Sequence, residues 1–119
     1  MRKQILIIDD SHHARQILRH QLEQSYQISE APNGRDGMRL FDEIKPDGVI
    51  LDLQMPFMDG RTVLQLLRAK NKTLPIIVLA ANVQESTRQE CQMLGATKLI
   101  SKPFERTLVK ETCQQLFTY

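Results

Sequence analysis

No stretch of this chain stays apolar for long. The N-terminus "MRKQILIIDD" starts basic, but its apolar run is four residues long and stops at two acids, too short for a signal peptide or a membrane span. No membrane insertion and a cytoplasmic location are therefore expected. Clustered positive charge is missing as well. Sixteen Lys and Arg stand against 14 Asp and Glu, a net charge of +2, and they are scattered along the chain. Direct nucleic-acid binding, which draws on a dense basic face or arm, is disfavoured. There is no CxxC spacing: Cys91 and Cys113 stand alone and read as reduced, partly buried thiols. His12, His13 and His20 form no i, i+4 pair, so they read as surface imidazoles and not as metal ligands. Repeats, linkers and low-complexity tails are also absent. With 119 residues and 41% apolar content, one core can be filled but not two, and a single domain over residues 1–119 is expected.

What the chain does contain is an alternation. Five short runs rich in Ile, Leu and Val are separated by five stretches of helical spacing, the pattern of βαβ units and an α/β fold with a parallel sheet. The first run is Ile5 to Ile8. Ser11 then caps a helix on which Ala14, Ile17, Leu18 and Leu22 line one core-facing stripe. A weak strand from about Gln27 to Glu30 leads into "APNGRDG", read as a turn before a helix carrying Leu40, Phe41 and Ile44, which Pro46 helps to end. "GVILDL" is the third strand and "MPFMDG" the loop beyond it. Val63, Leu64, Leu66 and Leu67 form the apolar side of the third helix. Strand four is Ile76 to Ala80. A polar fourth helix of about Gln84 to Leu94 ends at Gly95, and a thin fifth strand, Lys98 to Ser101, follows. "KPF" launches a last helix through Leu108, Val109 and Leu116.

In open parallel sheets, ligands bind beyond the carboxyl ends of the strands, where the strand order reverses. Asp9 and Asp10 end strand one, Asp52 ends strand three, Ala80 and Ala81 end strand four, and Lys102 follows strand five. If the order is 2-1-3-4-5, three carboxylates converge between strands one and three. Like charges so close repel by about several kcal/mol and raise one another's pKa unless a cation sits among them. Hard oxygen ligands suit Mg²⁺, which keeps positions open for water and a phosphoryl oxygen. Taken singly, Asp10 is a helix-capping acid, Asp52 a turn residue, Lys102 a solvated lysine and Pro103 a helix-starting proline. Their joint placement at the strand ends is the signal.

The motifs "ILIIDDS", "VILDLQMPFMDG", "PIIVLAA" and "SKPF", in that order, resemble the receiver domains of bacterial two-component response regulators over essentially the whole chain. The resemblance implies a flavodoxin-like (βα)5 doubly wound fold with a five-stranded parallel sheet of order 2-1-3-4-5. It implies that Asp52 accepts a phosphoryl group from a histidine kinase or phosphotransfer protein. Asp9, Asp10, Asp52 and the backbone carbonyl of Gln54 would hold Mg²⁺, Lys102 and the backbone amide of Ala81 would contact the phosphoryl group, and Lys102–Pro103 would be cis. The mechanism expected is attack by Asp52 with charge neutralised by Mg²⁺ and Lys102, without a general base. The chain would catalyse only its own phosphorylation and dephosphorylation.

Two positions depart from the family. Ala80 stands where receivers carry Thr or Ser, and Leu99 where they carry the switch aromatic, so the usual loop-and-ring switch is expected to be replaced or missing. Gln54 and Asn82, each two residues beyond a strand-end position, are candidates for setting the phosphorylated lifetime. A downstream protein is expected to bind through the face of helix four, strand five and helix five, or through helix one. The alternative is a receiver-fold adaptor that binds its partner independently of phosphorylation. A phosphatase of the haloacid dehalogenase class would want an acid where Gln54 stands. A flavodoxin-like FMN binder would want a phosphate cradle where Asp9 and Asp10 repel phosphate.

Overall fold

Period-2 alternation of apolar side chains decides how the sheet is filled. In the computed structural model, which describes residues 2–105 and 107–117, the chain runs β1 (Gln4–Ile8), α1 (His12–Leu22), β2 (Gln27–Ala31), α2 (Gly34–Ile44), β3 (Gly48–Asp52), α3 (Gly60–Lys70), β4 (Ile76–Ala80), α4 (Glu85–Leu94), β5 (Lys98–Ser101) and α5 (Leu108–Leu116). Met1, Thr118 and Tyr119, the ends of the domain expected over 1–119, lie outside the described residues. The strands form one parallel sheet of order β2-β1-β3-β4-β5. This is the expected flavodoxin-like order, with its reversal between β1 and β3.

Along each inner strand successive side chains go to opposite faces. Leu6, Ile8, Val49, Leu51, Val78 and Ala80 join one buried cluster with Phe41 of α2, Val63, Leu64 and Leu67 of α3, and Cys91 of α4. Ile5, Ile7, Ile50, Ile77 and Leu79 join the other with Leu18 and Leu22 of α1 and Val109 and Cys113 of α5. β3 and β4 are buried on both sides throughout, which explains their unbroken apolar runs. The two thiols are more deeply buried than expected and sit on opposite faces of the sheet.

Four details differ from the expected pattern. "APNGRDG" is mostly helix: Asn33 caps α2 by accepting from the Asp36 N–H at 2.7 Å. Gly34 and Gly37 are contact positions, because a Cβ there would come within 2.6 Å of Val63 and of Ile8 respectively. Ile17 and Leu66 each lie one residue, about 100° of helix, off their buried stripes and are exposed. α5 starts at Leu108, several residues after "KPF". By contrast, α4 ends as expected, at Gly95 in the left-handed conformation (φ 101°).

Candidate functional site

Register brings the acids together. Ile8 pairs with Leu51 across β1 and β3, so the next residues, Asp9 and Asp52, emerge level at the carboxyl edge. Asp9 and Asp52 are buried and Asp10 is exposed, and one carboxylate oxygen from each lies within 4.8 Å of the other two. Asp9 is held at both ends. Its Oδ1 accepts from the Ser11 N–H at 2.9 Å and its carbonyl accepts from Arg15 at 2.7 Å. Arg15 in turn pairs with Glu30 of β2 at 3.1 Å. Ser11 also caps α1, its hydroxyl accepting from the Ala14 N–H.

The opposite wall comes from β5. Lys102 donates its backbone N–H to the Ala80 carbonyl at 2.8 Å, and its Nζ reaches Asp52 Oδ1 at 3.3 Å. The Lys102–Pro103 bond is cis, as expected. Asp52 Oδ1 also accepts weakly from the Gln54 N–H at 3.4 Å.

Burial pushes the Asp52 carboxyl up to about 6, with the Asp9 charge adding to it and Lys102 pulling only part of the way back. Asp9 is raised too, mainly by burial, against the lowering effect of its Ser11 hydrogen bond. Among the described residues Asp9 Oδ2 is buried without a hydrogen-bond partner. Three converging carboxylates with one such oxygen make a donor set suited to a hard divalent cation.

The expected site residues at the strand ends are at this edge, whereas Leu99 lies inside β5, level with Val78 of β4; several residues that sequence reasoning missed support the edge. Arg15 carries no sequence signal, since only the β1–β2 pairing brings it beside both Asp9 and Glu30. Asp59 caps α3 by accepting from the Arg61 N–H at 3.0 Å. Gly60 then lets the helix start against the exit of β3: a Cβ there would lie 2.5 Å from the Asp52 carbonyl oxygen and 2.6 Å from Leu53 Cα. The Asp-Gly pair of "MPFMDG" is the signal that could have found them. Gln54 has a further role. Its Oε1 accepts from the Ala81 N–H at 3.1 Å, and its Nε2 donates to the Ala81 carbonyl at 3.4 Å.

Ala80 is fully buried and Leu99 half-buried, and both pack in the same apolar cluster. Neither offers a hydroxyl to the site. Asn82, two residues beyond Ala80, is exposed and left-handed (φ 53°), a conformation Asn tolerates better than most residues.

The family model for the response regulator receiver domain matches residues 5–114. The chain belongs to this family. It is 32% identical over 119 residues to the chemotaxis protein CheY of Halobacterium salinarum, with 99% of each chain covered. It is 41% identical over 105 residues to the transcriptional regulatory protein SrrA of Staphylococcus aureus, covering 87% of this receiver but only 43% of SrrA. Among solved structures, Vibrio cholerae CheY4 superposes with a TM-score of 0.92 at 28% identity, over 98% of this chain and 99% of the other. Receivers are signalling domains of two-component systems. No described helix of this one is long and apolar enough to cross a membrane.

Proposed function

We propose that this receiver, one domain over residues 1–119, takes a phosphoryl group on Asp52 from a histidine kinase or phosphotransfer protein. The observation that carries the reading is Lys102 Nζ at 3.3 Å from the buried Asp52 carboxylate, with the Asp9 and Asp10 carboxylates beside it. With a pKa of about 6, Asp52 is largely ionised at neutral pH and free to attack. One of its oxygens bonds to phosphorus as the P–N bond of phosphohistidine breaks, leaving an acyl phosphate and the kinase imidazole. Lys102 stays paired with the added negative charge, and the Ala81 amide is the second contact. Asp9, Asp10, Asp52 and the Gln54 carbonyl would hold Mg²⁺, which would neutralise charge on the phosphoryl oxygens. Water attack on phosphorus later returns the carboxylate and phosphate, with Gln54 and Asn82 flanking its approach and setting the lifetime. Exchanging both residues is expected to change the decay rate, and an unchanged rate refutes that role.

Incubation with acetyl phosphate and Mg²⁺ followed by intact mass is the test. One added phosphate is expected, and none on Asp52→Ala. No addition on the wild type leaves only a receiver-fold adaptor that binds its partner without phosphorylation. The burial of Ala80 and Leu99 in one apolar cluster supports an atypical switch, in which the usual hydroxyl-and-ring movement has no counterpart. An inward shift of residues 80–84 on adding beryllofluoride and Mg²⁺ would sink that part. The signal passes to a downstream protein through the α4–β5–α5 face or α1, in the cytoplasm and without direct contact to nucleic acid.

A further inference from the structure

The carboxamide of Gln54 is bonded across the site to both polar groups of one residue, Ala81. It accepts from the Ala81 N–H at 3.1 Å and donates to its carbonyl at 3.4 Å, as a neighbouring strand would. The backbone of Gln54 meanwhile points its own N–H at Asp52 Oδ1. One residue thus ties the nucleophile's carboxylate to the tip of β4. Lys102 makes the other tie there, through its Nζ to Asp52 and its backbone N–H to the Ala80 carbonyl, while Ala80 itself has no hydroxyl and is packed in the apolar cluster. The left-handed turn at Asn82 follows immediately, so the Gln54 contact is made where the chain leaves the sheet.

We infer that Gln54 is a positioning residue whose side chain occupies the Ala81 N–H while Asp52 is free and must give it up when Asp52 is phosphorylated. The inference rests on the phosphoacceptor reading above for its second half only. A backbone N–H makes one good hydrogen bond, so the Gln54 Oε1 and a phosphoryl oxygen compete for the same donor. The wild-type chain therefore spends part of its affinity for the phosphoryl group on breaking the existing contact. In a receiver with a strand-tip hydroxyl, the incoming phosphoryl group gains a side-chain partner. Here it displaces one.

Two variants separate the carboxamide from its reach: Gln54→Ala removes the group, and Gln54→Asn keeps it on a side chain one methylene too short. Gln54 is exposed, so both are expected to fold. Amide hydrogen exchange at Ala81 in metal-free protein should speed up in both variants and leave the interior of β4 unchanged. Titration with beryllofluoride at fixed Mg²⁺ should then show half-saturation at about three- to tenfold lower concentration in both, the scale of one neutral hydrogen bond. Unchanged exchange at Ala81 overturns the contact itself. Faster exchange with unchanged or weaker beryllofluoride binding overturns the competition. If wild-type protein and variants all fail to bind beryllofluoride, the phosphoacceptor reading falls and takes the competition with it, while the exchange result still decides the contact.

Discussion

Asp52 carries its charge at a cost to the fold. Its carboxyl titrates at about 6 in the folded protein, raised first by burial and then by Asp9, whereas an unfolded aspartate titrates near its ordinary value of about 4. Between those values the folded state holds the proton more tightly, so stability falls as pH rises through this window and the penalty is complete above about 6. Asp52→Asn removes it. In EDTA the variant should be more stable than wild type by about 2–3 kcal/mol at pH 8, with the gain fading toward pH 4. Chemical denaturation at both pH values measures this, and an equal gain at both would argue against the assignment. Phe57 is strained in another way: it is fully exposed and left-handed at φ 70°. An aromatic residue pays about 1 kcal/mol for that conformation and here has no packing to offset it. Phe57→Asn should raise the melting temperature by a few degrees, corresponding to about 0.5–1 kcal/mol.

At the level of elements, the β3–α3 junction sets where Asp52, the proposed phosphoacceptor, points. Gly60 donates its N–H to the Leu53 carbonyl at 3.1 Å and lies against the Asp52 and Leu53 backbone, where a Cβ would meet main-chain atoms. Backbone cannot swing aside as a flexible side chain does, so Gly60→Ala has to push α3 off the strand. A loss of about 1–3 kcal/mol is expected, together with slower phosphorylation by acetyl phosphate. Normal stability with a normal phosphorylation rate would show that the junction has slack. The α1 side is braced differently. Arg15 and Arg19 both pair with Glu30, and their hydrogen bonds and charges outweigh burial to hold that carboxyl below its usual range. Through Arg15 this brace reaches the Asp9 carbonyl, so Asp9 is anchored by β2 as well as by its own strand.

Across the whole molecule, three carboxylates with one buried, unpartnered oxygen leave the free protein with repulsion that a divalent cation relieves. Mg²⁺ should raise the melting temperature in a concentration-dependent way, because it binds the folded state alone. Asp9→Asn should abolish most of that rise at 1–10 mM Mg²⁺, about the range where a weak site begins to fill. A full rise in the variant would mean that the ion sits elsewhere. Much of this design is legible in the linear chain. The apolar runs ending in Asp9, Asp52 and Ala80 mark strands because buried β residues leave no room for polar ones, and the acids stand out because they break those runs. The motifs named the family, and with it the sheet order. Other parts depend on which elements become neighbours. Gly34 and Gly37 read as turn residues because only the packing of α2 on β1 and α3 shows that their missing side chains are needed. Ile17 and Leu66 fit a helical stripe equally well whether the groove beside them is filled or open. The local pattern of the chain determined the strands, the helices and which polar residues end each strand, since those follow from periodicity and residue type. Tertiary structure alone decided that Arg15 would hold Asp9 and that Gln54 would take the Ala81 amide, since a hydrogen bond between distant residues depends on positions the folded sheet creates.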